Sequence, residues 1–295
     1  MIVVLLKGGL GNQMFQYAAG RRLAHKRNTS LALDLSWFEN AEQQPGSVRT
    51  YELGDFNVKE RFINHSAFVL ARPEAGLKIK VYKYTKGLFK PRLTPYIKPD
   101  DEYRFDERVL NLPNNTFLEG FWQGPRYFEN IRDLLLKDFS YKKPPVGKNK
   151  ELADKIAKVD SISVHVRRGD YANNKYFKGF HGLTELDYYQ RAIDKLAGGV
   201  KQPHFFVFSD EPKWCEKNLK INFPVTYVSH NKSGSEDLRL MMNCQHNIIA
   251  NSSFSWWGAW LNQNPNKIVI APKRWFLNKK ANAEIDILPK EWLRI

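Results

Sequence analysis

The chain has 295 residues, 42% of them hydrophobic, 14% aromatic and 26% charged, a balance that excludes a disordered tail, a collagen-like repeat and a mini-protein dependent on disulfides or metals. Forty-six Lys and Arg against 31 Asp and Glu leave a net charge of +15, which favours anionic partners: phosphate-bearing small molecules, nucleic acid or an acidic membrane surface. Two cysteines, Cys215 and Cys244, and seven histidines without HExxH or HxxH spacing offer neither a disulfide framework nor a zinc site, so a reducing compartment and no metal are expected.

The apolar start, Met1 to Leu6, stops at Lys7-Gly8-Gly9, too short for a signal-peptide core, and no run approaches ~18 apolar residues. The expectation is a cytoplasmic protein, at most peripheral at the inner face of a membrane. Residues 2–6 predict a buried strand, 8–12 a glycine loop, and about 13–27 a helix with Phe15, Ala18, Ala19 and Leu23 at helical spacing. Arg21, Arg22, Lys26 and Arg27 are left for solvent or for last-turn carbonyls. A strand at 31–35 completes a βαβ unit and so a parallel α/β domain.

Residues 40–115 show no clear period. Their basic, aromatic segment 78–96 reads either as a solvated connection or as a surface for anionic lipid or glycolipid. Lys142 to Lys148, with paired prolines, reads as a linker. Strands then follow at 162–166, 205–208, 225–228, 247–250 and 267–270, with helices at 187–196, 237–244 and 254–262. Two α/β domains with a cleft between them, 1–143 and 151–295, are expected, with a last helix packing back on the first.

In Ser161-Ile162-Ser163-Val164-His165-Val166-Arg167-Arg168-Gly169-Asp170, side chains alternate across the sheet. Ser163, His165 and Arg167 share one face near the carboxyl end of the strand, where open α/β sheets bind ligands. Arg167 is expected to face a ligand and Arg168 a carboxylate of the fold; the alternative is that both pair with Asp170 and Asp210. Asp210, ending a neighbouring strand, either orients an arginine or caps the helix that opens at Pro212. Asn251-Ser252-Ser253-Phe254-Ser255 links a strand to a Trp-rich helix, setting unsatisfied amides where a phosphate can sit, unless Ser252 is a plain cap. Trp256, Trp257 and Trp260 are read as core. Asp237 either accepts from the N1–H and exocyclic amine of guanine or merely stabilises a helix dipole. Gly9-Leu10-Gly11 begins a dinucleotide fingerprint that Met14 breaks, so an oxidoreductase is a weaker alternative.

Gly8-Gly9-Leu10-Gly11-Asn12-Gln13-Met14-Phe15-Gln16-Tyr17-Ala18, His165 to Tyr171, and Asn251 to Trp257 resemble the galactoside α-1,2-fucosyltransferases, as do Phe121 to Phe128 and Pro272 to Trp275. The resemblance runs from about residue 1 to 293. It implies a GT-B-like pair of Rossmann-like domains, no metal or cofactor, and transfer of L-fucose from GDP-β-L-fucose to the 2-hydroxyl of a terminal galactose, with inversion. It further implies that Arg167 binds the β-phosphate, His165 the nucleoside or phosphate side, Asp237 the guanine, and Ser252, Ser253 and Phe254 the phosphates and ribose. Gly9, Gly11, Asn12 and Gln13 are expected to be substrate-binding, on the acceptor side, and Arg168, Asp170 and Asp210 orienting.

On that reading Arg167 and the helix N-terminus neutralise the departing GDP, the duty of a divalent metal in related chemistry. For a general base the sequence offers Glu185 and Asp187, and Asp187 is a weak candidate because a helix-capping role fits it better. Expected partners are GDP-fucose and a galactose-terminated or lipid-linked glycan, with peripheral contact to an anionic membrane. The alternatives are another nucleotide-sugar or α-1,6-fucosyl transferase and, outside enzymes, a basic nucleic-acid-binding protein, against which no nucleic-acid motif appears.

Overall fold

The computed structural model of the chain describes residues 1–39, 48–63, 96–99, 104–169, 182–278, 281–282 and 285–295. They form two units, Met1–Ser140 and Tyr141–Ile295.

In the first unit β1 (Ile2–Leu5) is buried along its whole length, as its unbroken β-branched run requires of a strand covered on both faces. It leads into α1 (Leu10–Lys26) and then β2 (Leu31–Asp34), β3 (Phe62–Ile63), β4 (Tyr96–Ile97), β5 (Thr116–Leu118) and α2 (Arg132–Asp138). The sheet order is β3-β2-β1-β5-β4 and every pairing is parallel. Helix α1 lies so close to the sheet that a Cβ on Gly20 would meet Val4 Cγ2 at 2.2 Å. Gly20 thus supplies the close helix–strand approach that the broken fingerprint leaves undone at Met14. Arg21, expected toward solvent, is buried, and its Nε donates to Asp138 at 2.7 Å beside the Tyr17 hydroxyl at 2.8 Å. Arg22, Lys26 and Arg27 donate to the carbonyls of Leu110, Asn111 and Leu112, which end a short 3₁₀ turn distant in sequence.

The second unit runs α3 (Gly147–Ile156), β6 (Asp160–Val166), α4 (Leu186–Ala197), β7 (Pro203–Ser209), α5 (Pro212–Asn218), β8 (Val225–Val228), α6 (Gly234–Asn243), β9 (His246–Ile248), α7 (Ser253–Leu261), β10 (Val269–Ala271) and β11 (Leu293–Arg294). Its all-parallel sheet has the order β11-β10-β9-β6-β7-β8. The chain therefore winds outward from β6 through β7 to β8, then returns to the other side of β6 with β9. The reversal between β6 and β9 is the topological switch point, and a ligand crevice is expected outside their carboxyl ends.

Alternation along β6 is as anticipated. Ile162, Val164 and Val166 pack with Tyr188, Tyr189 and Ile193 of α4, while Ser163 bonds Asn247 and His165 lies against Phe254. Trp256, Trp257 and Trp260 are buried core.

Several boundaries differ. Helix α1 takes in Gly11 and Asn12, because Gly9 serves as its N-cap and accepts from the amides of Asn12 and Gln13. Helix α6 starts at Gly234 because Ser233 Oγ accepts from Ser235 N. The expected linker ends in α3, and the chain finishes in strand β11. No helix among the described residues is long and apolar enough to cross a membrane.

Candidate active site

Strand β6 delivers Arg167, Arg168 and Gly169 at the switch point. Asp210, just past β7, holds this turn with both oxygens: the amides of Arg168 and Gly169 donate to it at 3.0 Å each, and Arg167 Nη1 lies 3.2 Å away. A Cβ on Gly169 would come within 2.8 Å of the same carboxylate, so a larger residue here would push Asp210 off the turn. Arg168 points elsewhere, donating to Glu211 at 3.2 Å while its guanidinium lies over the Trp214 ring at 3.7 Å. The two arginines therefore have separate carboxylates. Asp210 thus binds the Arg167 side chain and turn and is not the cap of α5, whose N-cap position belongs to Glu211.

His165 is buried, and its Nδ1 has no partner among the described residues. Burial first, and the Arg167 charge second, push its pKa down to about 3 against an opposing pull from Asp210. The ring is thus neutral at physiological pH.

From β9 the chain passes Asn251 into α7. Asn251 anchors the turn, donating to the carbonyls of Gly182 and Trp275 and accepting from the Thr184 hydroxyl at 2.9 Å. Ser252 occupies the N-cap with extended backbone, yet its side chain makes no capping bond. The first amides of α7, at Ser253 and Phe254, have no intrahelical acceptor by geometry and carry the helix's partial positive charge. Phe254 connects the parts: its ring centroid is 5.3 Å from that of His165, and its Cε2 lies 3.4 Å from where a Cβ on Gly234 would stand. The end of β6, the start of α7 and the start of α6 thus converge.

Asp237 sits in the first turn of α6 and accepts from Asn231 Nδ2 at 2.8 Å. Burial is the main cause of a pKa raised to about 6; the Asn231 bond opposes the rise and the Glu236 charge adds to it.

In the first unit Gly9 and Gly11 flank the start of α1, and Asn12 Oδ1 accepts from Gln123 Nε2 at 2.8 Å. Gln13 has a structural role in this unit. It is fully buried, donating to the Gly8 and Thr50 carbonyls at 2.9 and 2.8 Å and accepting from the Glu52 amide at 2.8 Å. Its amide ties the glycine loop to residues 50–52, and both of its N–H groups are spent within the fold. Asp187 is not a cap either: it is a first-turn acid of α4, 74% exposed and paired with Arg191 one turn on. Asp170 and all of the 78–96 segment except Tyr96 lie outside the described residues. Glu211, Trp214, Asn149 and Asn231 escape sequence reading, since nothing local marks a stacking or bridging partner.

The geometry is that of a doubly wound α/β enzyme with a cationic turn and a helix N-terminus at one switch point. The family model described as Glycosyl transferase family 11 matches residues 1–295, and the chain belongs to that family. Relatives include an alpha-1,2-colitosyltransferase of Escherichia coli, 35% identical over all of this chain and 99% of its own length. The O-antigen biosynthesis glycosyltransferase WbnK of the same species is 34% identical, over 95% and 97% of the two chains. Among solved structures, NodZ alpha-1,6-fucosyltransferase from Bradyrhizobium, soaked with GDP-fucose, has a TM-score of 0.47 at 14% identity, covering 88% of this chain and 91% of its own.

Proposed function

We propose that the protein transfers L-fucose from GDP-β-L-fucose to the 2-hydroxyl of a terminal galactose, with inversion and without a metal. The observation that carries this reading is the meeting of Arg167, neutral His165 and the uncapped start of α7 at the switch point of the second sheet. The motif resemblance to galactoside α-1,2-fucosyltransferases and the α-1,2 linkage in a full-length relative's name support it.

In the reaction the acceptor oxygen forms its bond to the fucose anomeric carbon as the bond to the β-phosphate oxygen breaks. GDP leaves with the electron pair, and the hydroxyl proton passes to solvent or to a base that is not assigned. Charge grows on the phosphate, and a pre-aimed guanidinium with helix amides stabilises it at no cost of reorganisation. Asp210 fixes Arg167 beforehand, and a neutral His165 adds no competing charge. The +15 excess suits the pyrophosphate donor, and it suits work at the cytoplasmic face of a membrane on a lipid-linked glycan.

The test is incubation with GDP-fucose and a panel of galactosides in EDTA, with the product linkage read by NMR. An α-1,2-fucosyl galactoside supports the reading; no turnover until manganese is restored contradicts it. A second reading, favoured by the 35% identical relative, keeps the α-1,2 linkage but transfers colitose in place of fucose from its nucleotide-sugar donor. Competition between the two donors separates them.

A further inference from the structure

The loop after β8 and the starts of α3 and α6 share a chain of side-chain amides. His230 Nε2 lies 2.8 Å from Asn149 Oδ1; Asn149 Nδ2 donates to Asn231 Oδ1 at 2.8 Å and to Glu236 Oε2 at 3.1 Å; Asn231 Nδ2 donates to Asp237 Oδ1 at 2.8 Å. Both amide orientations are over-determined. Asn149 must turn its NH₂ to the Glu236 carboxylate and Asn231 must turn its NH₂ to Asp237, since either flip would set oxygen against carboxylate. Glu236 is in turn held by Arg239 at 3.0 Å, which occupies the neighbouring acid. Asp237 has no other hydrogen-bond partner among the described residues.

We infer that Asn231 is a positioning residue for the nucleobase: anchored by Asn149, it locks the Asp237 carboxylate in the orientation that accepts two parallel N–H groups from a guanine edge. The inference rests on the GDP reading above. A carboxylate has about four acceptor directions; Asn231 takes one and fixes the rotation of the group, so the remaining directions face the base as a set. An unanchored carboxylate would meet each donor singly and discriminate less. The charges around Asp237 are Glu236 and Arg239 on its own helix, and His230 across the loop with Lys148 beside it on α3. Only Asn231 donates directly to it.

The test is calorimetric titration of the full chain with GDP and with inosine diphosphate, which lacks the exocyclic amine, between pH 5.5 and 8. Wild type is expected to prefer GDP about tenfold or more, the worth of one hydrogen bond to a charged acceptor. In Asn231→Ala the preference falls to about threefold or less, and the acid limb of GDP affinity moves to higher pH because the carboxylate has lost a donor that favours its charged form. A merely structural role would weaken both ligands together and leave that limb in place. Preference and limb both unchanged in folded Asn231→Ala overturn the inference. Should that variant not fold, Asn149→Ala, which keeps the Asn231 to Asp237 bond but loosens its anchor, must lower the preference; an unchanged ratio there overturns it equally. Wild type without preference removes the guanine reading itself, and the inference with it.

Discussion

Arg167 and Arg168 are neighbours with unlike surroundings, and their substitutions should separate. Arg167 is held by Asp210 at the switch point, so Arg167→Ala is expected to cost about 3–4 kcal/mol of transition-state stabilisation, the scale of a lost oxyanion donor, with melting little changed. Arg168 bridges Glu211 and stacks on Trp214; Arg168→Ala should lower the melting temperature and leave turnover per folded molecule near wild type. Kinetics and calorimetry on both variants check this, and equal losses of turnover with intact folding in both would refute the division. Asp237 permits a pH argument. Its folded pKa of about 6 exceeds an unfolded value near 3.8, so the native state binds more protons across that window and stability falls as pH rises through it. Asp237→Asn should therefore melt higher at pH 8, by about 1 kcal/mol after discounting for solvent screening, while losing the preference for GDP. In the wild type, GDP affinity should fall as pH drops below about 6. His165 has the opposite sign: a folded value of about 3 against 6.5 unfolded makes stability fall as pH drops through that interval.

At the scale of elements, two side chains show what periodicity conveys and what it hides. Alternation on β6 was enough to place His165 and Arg167 together and Arg168 apart, because a strand buried on both faces leaves no freedom of register. Gln13 shows the converse: its burial is not legible locally. With the glycine loop taken to run through Asn12, its burial depended on three backbone groups, two of them near residue 50, which no local pattern announces. Gln13→Ala should cost about 3 kcal/mol of stability, since it leaves buried backbone groups unpaired, with GDP affinity unchanged by titration. Gly20→Ala, which drives a methyl into Val4, should destabilise by about 1–3 kcal/mol as an overpacked helix–sheet contact; denaturant melts of the purified variant measure it.

For the molecule as a whole, a βαβ start and a later αβ series were legible because apolar runs and glycine stops repeat at strand and helix lengths. Strands β3, β4 and β11 were not, being two residues each, set by pairing with a neighbour rather than by their own composition. Nor was the Asn149, Asn231 and Asp237 chain, whose members lie on three segments of the second unit. The strand order, by contrast, turns scattered motifs into one place: the turns after β6 and β9 are neighbours only because the sheet reverses between those strands. The central claim is that this reversal seats the diphosphate of the donor against Arg167 and the start of α7. A crystal of the protein soaked with GDP in the presence of EDTA measures it directly. The account predicts diphosphate oxygens within hydrogen-bonding distance of Arg167 and of the Ser252 to Phe254 turn; a diphosphate bound on the first unit, or at this turn only when a metal ion bridges it, would contradict it.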